Sequence, residues 1–389
     1  LKKNQLLVLL FILLGAVLVR AFSVAEQPFF CDVPFSLRAI DSGRMTIQFP
    51  GYVPFHLLIK LFTFVVGPPF VSFIFFSLVC GIGSLLYSTF FGYDRAGFRG
   101  GVLMATLMGF SPLAIYFSCV GASYTTELFS MSAMIFHGNR VLAKDSEFDY
   151  RCAVLWFVFG SLMRTLSFTF VGLGVIYLLF RLPSRQRILF TAGAFTAGAA
   201  IYLSVTFYYF HGLKGVIDSF RIVNEALHHY SLSWLLGNWV RLLIFIGWGL
   251  NVLIVVIPVT LWLSRKRIDR PLAIFFLLLS VPYFLVLVRY IPHAGYICLL
   301  LPVLLGAPLL VKKEPWTGLR AVGLCLLFLV VSLVQFFGAK PIPFRGTTSL
   351  VLNSYVLFYT YRGIQIGMFD NLTDFAKKYH IHVHDSQTK

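Results

Sequence analysis

The chain has 389 residues, of which 58% are hydrophobic, 17% aromatic and only 12% charged, and 32 Lys and Arg outweigh 15 Asp and Glu for a net charge of +17. A mean hydropathy of +0.84, with a charged fraction well under the roughly 25% of a soluble domain, excludes a water-soluble enzyme and a disordered scaffold. The basic excess has no solvated domain to occupy, so it reads as a membrane-topology signal and not as a nucleic-acid surface.

A membrane helix needs about 20 mostly apolar residues. Candidate segments lie, in chain order, near 5–22, 69–90, 101–119, 124–142, 152–163, 166–180, 188–208, 241–263, 271–288, 296–311 and 319–338, about eleven spans in which Arg164 divides 152–180 into two short halves. The first follows Lys2 and Lys3 and reads as a span, because no small-residue cleavage site comes after it. The segment 52–66 is apolar but too short to span, is interrupted by Pro54 and carries His56 and Lys60. It predicts a helix lying in the interface. Short basic connections contain Lys2 and Lys3; Arg95 and Arg99; Arg140, Lys144 and Arg151; Arg181, Arg185 and Arg187; Arg265, Lys266, Arg267 and Arg270; and Lys312, Lys313 and Arg320. Alternating spans put all of them on one side, which the positive-inside rule makes cytoplasmic. The N-terminus is then cytoplasmic and the C-terminus outside.

The expected architecture is an all-α integral membrane protein with about eleven transmembrane helices. One polytopic domain covers 1–338, with outer loops at 23–68, 118–127 and 209–240, and an outer tail follows at 339–389. The six cysteines show no CxxC spacing, so no disulfide framework or cysteine metal cluster is expected. In the tail, His380, His382 and His384 alternate and would share one face of a strand, while Asn371 opens a glycosylation triplet.

This topology gathers Asp32, Arg38, Asp41, Arg44, His56, Glu127, Arg164, Arg289 and His293 at the outer face. A partly desolvated carboxylate such as Asp32, just past the first span, has a raised proton affinity that suits a general base. A solvated loop acid near Arg38 is the plainer alternative. Glu127 falls on the first turn of a span, where the helix dipole favours an acid, with Thr125 or Thr126 as the expected cap. Arg164 interrupts the apolar hairpin 152–180 and reads as a snorkelling anchor or a phosphate ligand. Arg289 and Tyr290, followed by Pro292, His293 and Tyr296, present a cation and rings at the same depth. The outer segment 211–234 is amphipathic and reads as structural.

Taken together, these elements resemble the GT-C class of polytopic glycosyltransferases, the superfamily of protein O-mannosyltransferases and bacterial aminoarabinose transferases. Asp32, Ala39, Gly43, Pro50, Gly51 and Tyr52 match the class's first outer loop. Ser111 and Pro112 match a Ser-Pro near the end of the third span, and Glu127 matches the acid opening the fourth. Gly160 and Arg164, then Arg289, Tyr290 and Pro292, complete the likeness. Two departures stand out: Val33 follows Asp32 where many members have a second acid, and Phe49 replaces the first proline of the corner.

The resemblance implies transfer of a sugar from a polyprenyl-phosphate donor to an acceptor, with inversion, at the outer face of a bacterial, archaeal or endoplasmic-reticulum membrane. Asp32 would be the general base, with Asp41 as its rival. Arg164 and Arg289 would face the lipid phosphate, assisted by Tyr290 and His293. Glu127 would orient hydroxyls or bind a divalent metal, which this sequence does not require. Arg44, Tyr52 and His56 flank the corner as further substrate contacts. The implied partners are the donor, membrane lipids and an acceptor that is a protein, a lipid or a glycan, and no nucleic acid. The competing reading is a lipid-linked-sugar transporter or flippase, or an inactive relative that binds the same lipid.

Overall fold

Helix α1, Lys3–Phe22, is apolar from Leu6 onward except for Arg20 in its last turn. The structure is a computed structural model and describes residues 2–24, 36–37, 39–40, 52–218, 221, 239, 242–243, 245–287, 294–311 and 318–337. Asp32, Arg38, Asp41, Arg44, Arg289, Tyr290, His293 and the tail 339–389 lie outside the described residues. Among the described residues there is no strand, and one isolated bridge joins Ile268 to Val311. Four helices, Lys3–Phe22, Pro69–Phe110, Arg185–Tyr209 and Arg270–Leu287, are long and apolar enough to cross a membrane by length and composition. The protein is a helical membrane protein.

Helix α2, Val53–Val66, is the segment expected to lie in the interface. Pro54 does not interrupt it but sits in its first turn, where the missing N–H costs nothing. The buried face of α2 is anchored by Phe55, whose ring lies 5.1 Å from that of Phe73 and 6.0 Å from that of Phe76. Its far end exposes Leu61, Phe64 and Val65, as expected of a helix bedded in lipid.

Helix α3, Pro69–Phe110, contains two arms separated at Ala96 and Gly97, where Gly97 takes a φ of 61°. A Cβ placed on Gly92 would collide with the backbone of Gly100, and one on Gly109 would touch Leu85. Residues equally far from the turn therefore meet, and the two arms form an antiparallel hairpin. The absence of side chains at Gly92 and Gly100 is what lets the backbones touch just before the reversal. The predicted separation into spans 69–90 and 101–119 thus corresponds to a tight helical turn. The second span is itself broken, because Pro112 has no N–H to give and pushes Ser111 into extended backbone, φ −61° and ψ 125°. Helix α4, Pro112–Cys119, resumes beyond the break.

Helix α5, Tyr124–Lys144, is the most enclosed of the long helices. It is less apolar than its neighbours because protein, not lipid, surrounds it: Thr125, Thr126, Ser130, Ser132, His137 and Asn139 are all buried. Ser88 meets Ser132 at 3.3 Å, and Ser77 donates to the Ala122 carbonyl at 3.2 Å, so small polar residues join α3 to α5. Thr125 and Thr126 do not cap this helix. It begins at Tyr124, so their hydroxyls fall inside the first turn and donate back to the carbonyls of Ala122 (3.0 Å) and Ser123 (2.6 Å).

The remaining helices are α6, Glu147–Met163; α7, Thr165–Thr169; α8, Gly172–Arg181; α9, Arg185–Tyr209; α10, Leu253–Leu263; α11, Arg270–Leu287; α12, Ile297–Gly306; and α13, Gly318–Phe337. Helix α12 packs on α5, and α9 covers α6 and α2.

Four of the basic connections, those at 94–99, 140–151, 181–187 and 265–270, meet at one pole of the bundle and are tied together by ion pairs. Arg95 bonds Asp269 at 3.0 Å, Arg140 reaches Asp94 and Asp149 at 3.5 Å each, and Arg187 bonds Asp145 and Glu147 at 2.8 Å each. Asp145 takes the left-handed conformation, φ 51°, that ends α5, and Ser146 caps α6 by accepting from the Asp149 N–H at 3.2 Å. Partial burial acts to raise the Glu147 carboxyl, but the guanidiniums of Arg187 and Arg151 override it and hold the group below its ordinary value.

Candidate active site

At the opposite pole, the chain assembles a charged cluster out of three segments that sequence motifs had singled out separately. The backbone N–H of Arg164 bonds the carbonyl of Gly160 at 2.9 Å and ends α6 there. A Cβ on Gly160 would press into the Phe168 ring, so the glycine lets the short α7 fold back over α6. The spacing of Gly160 and Arg164 therefore turns the chain and leaves the arginine at the turn, aimed inward.

The Arg164 side chain is 3% exposed and Glu127 is 0% exposed, with the guanidinium Nε 2.9 Å from the carboxylate Oε1. Nη2 donates to the Tyr52 hydroxyl at 2.8 Å, and Nη1 donates to the Ser123 hydroxyl at 3.4 Å. Three aromatic rings surround the cation. Its central carbon lies 3.9 Å from the centroid of the Tyr124 ring, 5.0 Å from Tyr52 and 5.6 Å from Tyr296. Gly295 lies so close to the Tyr124 ring that any side chain there would overlap it. A charge taken out of water needs an opposite charge and hydrogen bonds, and Arg164 has both plus the electron-rich faces of tyrosines.

Tyr52 precedes α2 and stacks on His56, with ring centroids 6.4 Å apart and planes 20° from parallel. Burial pushes the His56 imidazole down to about 3, so it is neutral at pH 7. Because the unfolded chain binds the proton near pH 6.5 and the folded one near 3, this stabilisation is present above pH 6.5 and is lost as pH falls. At pH 5 the deficit is on the order of 2 kcal/mol. Lowering the pH from 7 to 5 is therefore expected to raise amide exchange in 53–66 after correction for its intrinsic pH dependence. A His56→Phe variant showing the same rise would refute this account.

Of the residues singled out by sequence, the structure thus brings Tyr52, His56, Glu127 and Arg164 into one cluster. Sequence reasoning missed Tyr124 as a wall of this site, although it is adjacent to the expected outer loop. It also missed Arg20, which is fully buried and, among the described residues, has no acid as a hydrogen-bond partner. Arg20 donates from Nη2 to the Met108 carbonyl (3.1 Å) and from Nη1 to those of Gly109 (2.7 Å) and Ala16 (3.0 Å). In an unbroken helix the Met108 carbonyl would accept from residue 112, but Pro112 has no donor. The signal that could have found Arg20 is an ionisable residue inside an apolar span, which calls for an internal partner by default. Among the described residues no three His, Cys, Asp or Glu side chains are grouped as a metal ion would need.

No protein-family model matches the sequence, and no curated protein sequence matches it. Solved structures do. ArnT from Cupriavidus metallidurans in the apo state matches over 87% of this chain and 66% of its own length, with a TM-score of 0.59 and 14% identity. The fold is GT-C-like. ArnT from the same organism bound to undecaprenyl phosphate matches over 98% of this chain and 75% of its own length, with a TM-score of 0.55 and 12% identity. The chain spans just under two thirds of the length of the apo neighbour. Within this GT-C-like fold, the Glu127–Arg164 pair lies at the pole remote from the basic connections, where the first outer loop of the class was expected.

Proposed function

We propose that the protein is a membrane glycosyltransferase that moves a sugar from a polyprenyl-phosphate donor to an acceptor, with inversion, at the pole remote from its basic connections. In this reading that pole is extracytoplasmic, the N-terminus is cytoplasmic and the C-terminus is outside. Residues 1–338 form the catalytic membrane domain and 339–389 an outer appendage. The observation that carries the proposal is the coincidence of two things: a GT-C-like fold matching a neighbour bound to undecaprenyl phosphate, and a buried ionic cluster, remote from the basic connections, built around residues that carry the motif resemblance.

Asp32 takes the proton from the acceptor hydroxyl as that oxygen attacks the anomeric carbon. The bond from the anomeric carbon to the phosphate oxygen breaks, and the lipid phosphate leaves with the electron pair. Arg289, with Tyr290 and His293, stabilises the charge that grows on that phosphate. Glu127 and His56 belong to the wall on which hydroxyls of sugar or acceptor are oriented. Arg44 flanks the corner before Tyr52.

The test is reconstitution of the full chain with undecaprenyl-phosphate sugars and a panel of protein, lipid and glycan acceptors. Turnover is expected in the wild type and a loss of about a hundredfold or more in Asp32→Asn. Turnover untouched by Asp32→Asn but abolished by Asp41→Asn moves the base. Substrate flux across vesicles without transfer to any acceptor makes the protein a transporter.

A further inference from the structure

We infer that Arg164 is a positioning residue that docks the interfacial helix α2 and fixes Glu127, and is not a ligand for the donor's phosphate; this rests on the glycosyltransferase reading above. All three guanidinium nitrogens have partners: Nε with Glu127 at 2.9 Å, Nη1 with Ser123 at 3.4 Å and Nη2 with Tyr52 at 2.8 Å. One face of the guanidinium is covered by the Tyr124 ring at 3.9 Å. An incoming phosphate would have to displace a carboxylate that is 0% exposed. The anion seat beside Arg164 is filled by the protein itself.

What Arg164 does instead follows from where its partners sit. Tyr52 immediately precedes α2, Ser123 and Tyr124 open α5, Glu127 lies one turn further on, and Tyr296 precedes α12. A single guanidinium at the α6–α7 turn therefore joins the starts of three helices that are distant in sequence. The bond to Tyr52 is a polar contact that ties the start of α2 to the α6–α7 turn. It sets the height of α2 against the bundle, and with it the end of the first outer loop. Glu127, held by the same guanidinium, is fixed in rotamer.

The experiment uses the full chain in lipid nanodiscs, with undecaprenyl phosphate as the binding probe and amide exchange as the structural readout. Tyr52→Phe keeps the ring over the cation and removes only the hydroxyl acceptor. It is expected to raise exchange in 53–66 by about tenfold or more, since hydrogen bonds to charged groups are among the stronger ones. Undecaprenyl phosphate affinity is expected to stay within about threefold of wild type, a change of about 0.7 kcal/mol at most. In the turnover assay kcat falls while the donor KM holds. Arg164→Lys, which cannot reproduce the fork, is expected to show the same pattern more strongly. Unchanged exchange in 53–66 on Tyr52→Phe overturns the docking role, even if Arg164→Lys fails to fold. A loss of about tenfold or more in undecaprenyl phosphate affinity on Tyr52→Phe or Arg164→Lys, with α2 exchange unmoved, makes Arg164 a phosphate ligand. A wild type that neither binds undecaprenyl phosphate nor turns over defeats the glycosyltransferase reading, while the exchange arm still decides the docking role.

Discussion

Arg20→Met is expected to lower the unfolding free energy by about 3–5 kcal/mol, because it leaves the carbonyls of Met108 and Gly109 buried without donors at roughly 1–3 kcal/mol each. The substitution is close in volume and apolar, so lost packing is a small part of the effect. Among the described residues Arg20 pairs with no acid. Its charge is solvated by carbonyl oxygens near the ends of α1 and α3, where the helix dipoles also favour a cation. Denaturant or thermal unfolding in detergent measures the loss. The decisive companion is Arg20→Met with Pro112→Ala, which returns an N–H to residue 112 and allows the Met108 carbonyl to be satisfied within the helix. Recovery of at least about 1 kcal/mol is expected. Recovery of none would show that the freed carbonyls are not the source of the cost.

The second large effect concerns the Glu127–Arg164 pair. Glu127→Ala removes the counter-charge of a cation that is 3% exposed, and breaking such a pair from one side costs about 3–5 kcal/mol. Removing both charges is cheaper than the sum. Glu127→Gln with Arg164→Met is expected to show a coupling energy of about 2 kcal/mol or more against the single variants. Stability alone then separates the pair's structural contribution from any role in turnover, since the double variant folds better than Glu127→Ala yet has no carboxylate. Additive single effects would mean that the two groups do not share one dry environment.

The residues of this cluster were legible in the sequence because each breaks a local pattern. Arg164 interrupts an apolar hairpin four residues after a glycine, Glu127 opens a helix after a loop rich in small residues, and Tyr52 closes a Pro-Gly-Tyr corner. The two-pole arrangement was legible for a similar reason, since hydropathy and basic loops are set by the lipid and not by tertiary detail. What escaped was the pairing. Arg164 and Glu127 were expected to face substrate separately, and nothing in two isolated motifs states that their side chains meet. Arg20 escaped because its partners are backbone carbonyls, which every residue possesses, and the clue to their availability is a proline on another helix. Thr125 and Thr126 were misread because a hydroxyl near a helix start can cap forward or bond backward, and one residue in the helix boundary decides which.

The grip of Arg20 on the α3–α4 break also has a consequence for how the chain is made. Synthesis delivers α1 long before residues 108–118 exist, so the first span emerges with a cation that has the Ala16 carbonyl of its own helix but not yet those of Met108 and Gly109. Until the third span arrives, headgroups and water at the membrane surface take the place of the Met108 and Gly109 carbonyls. The first span therefore takes its final depth only when the third is in place. Assembly at this corner is a late docking of the chain's beginning onto something made afterwards, and a nascent chain arrested before Pro112 should hold α1 loosely.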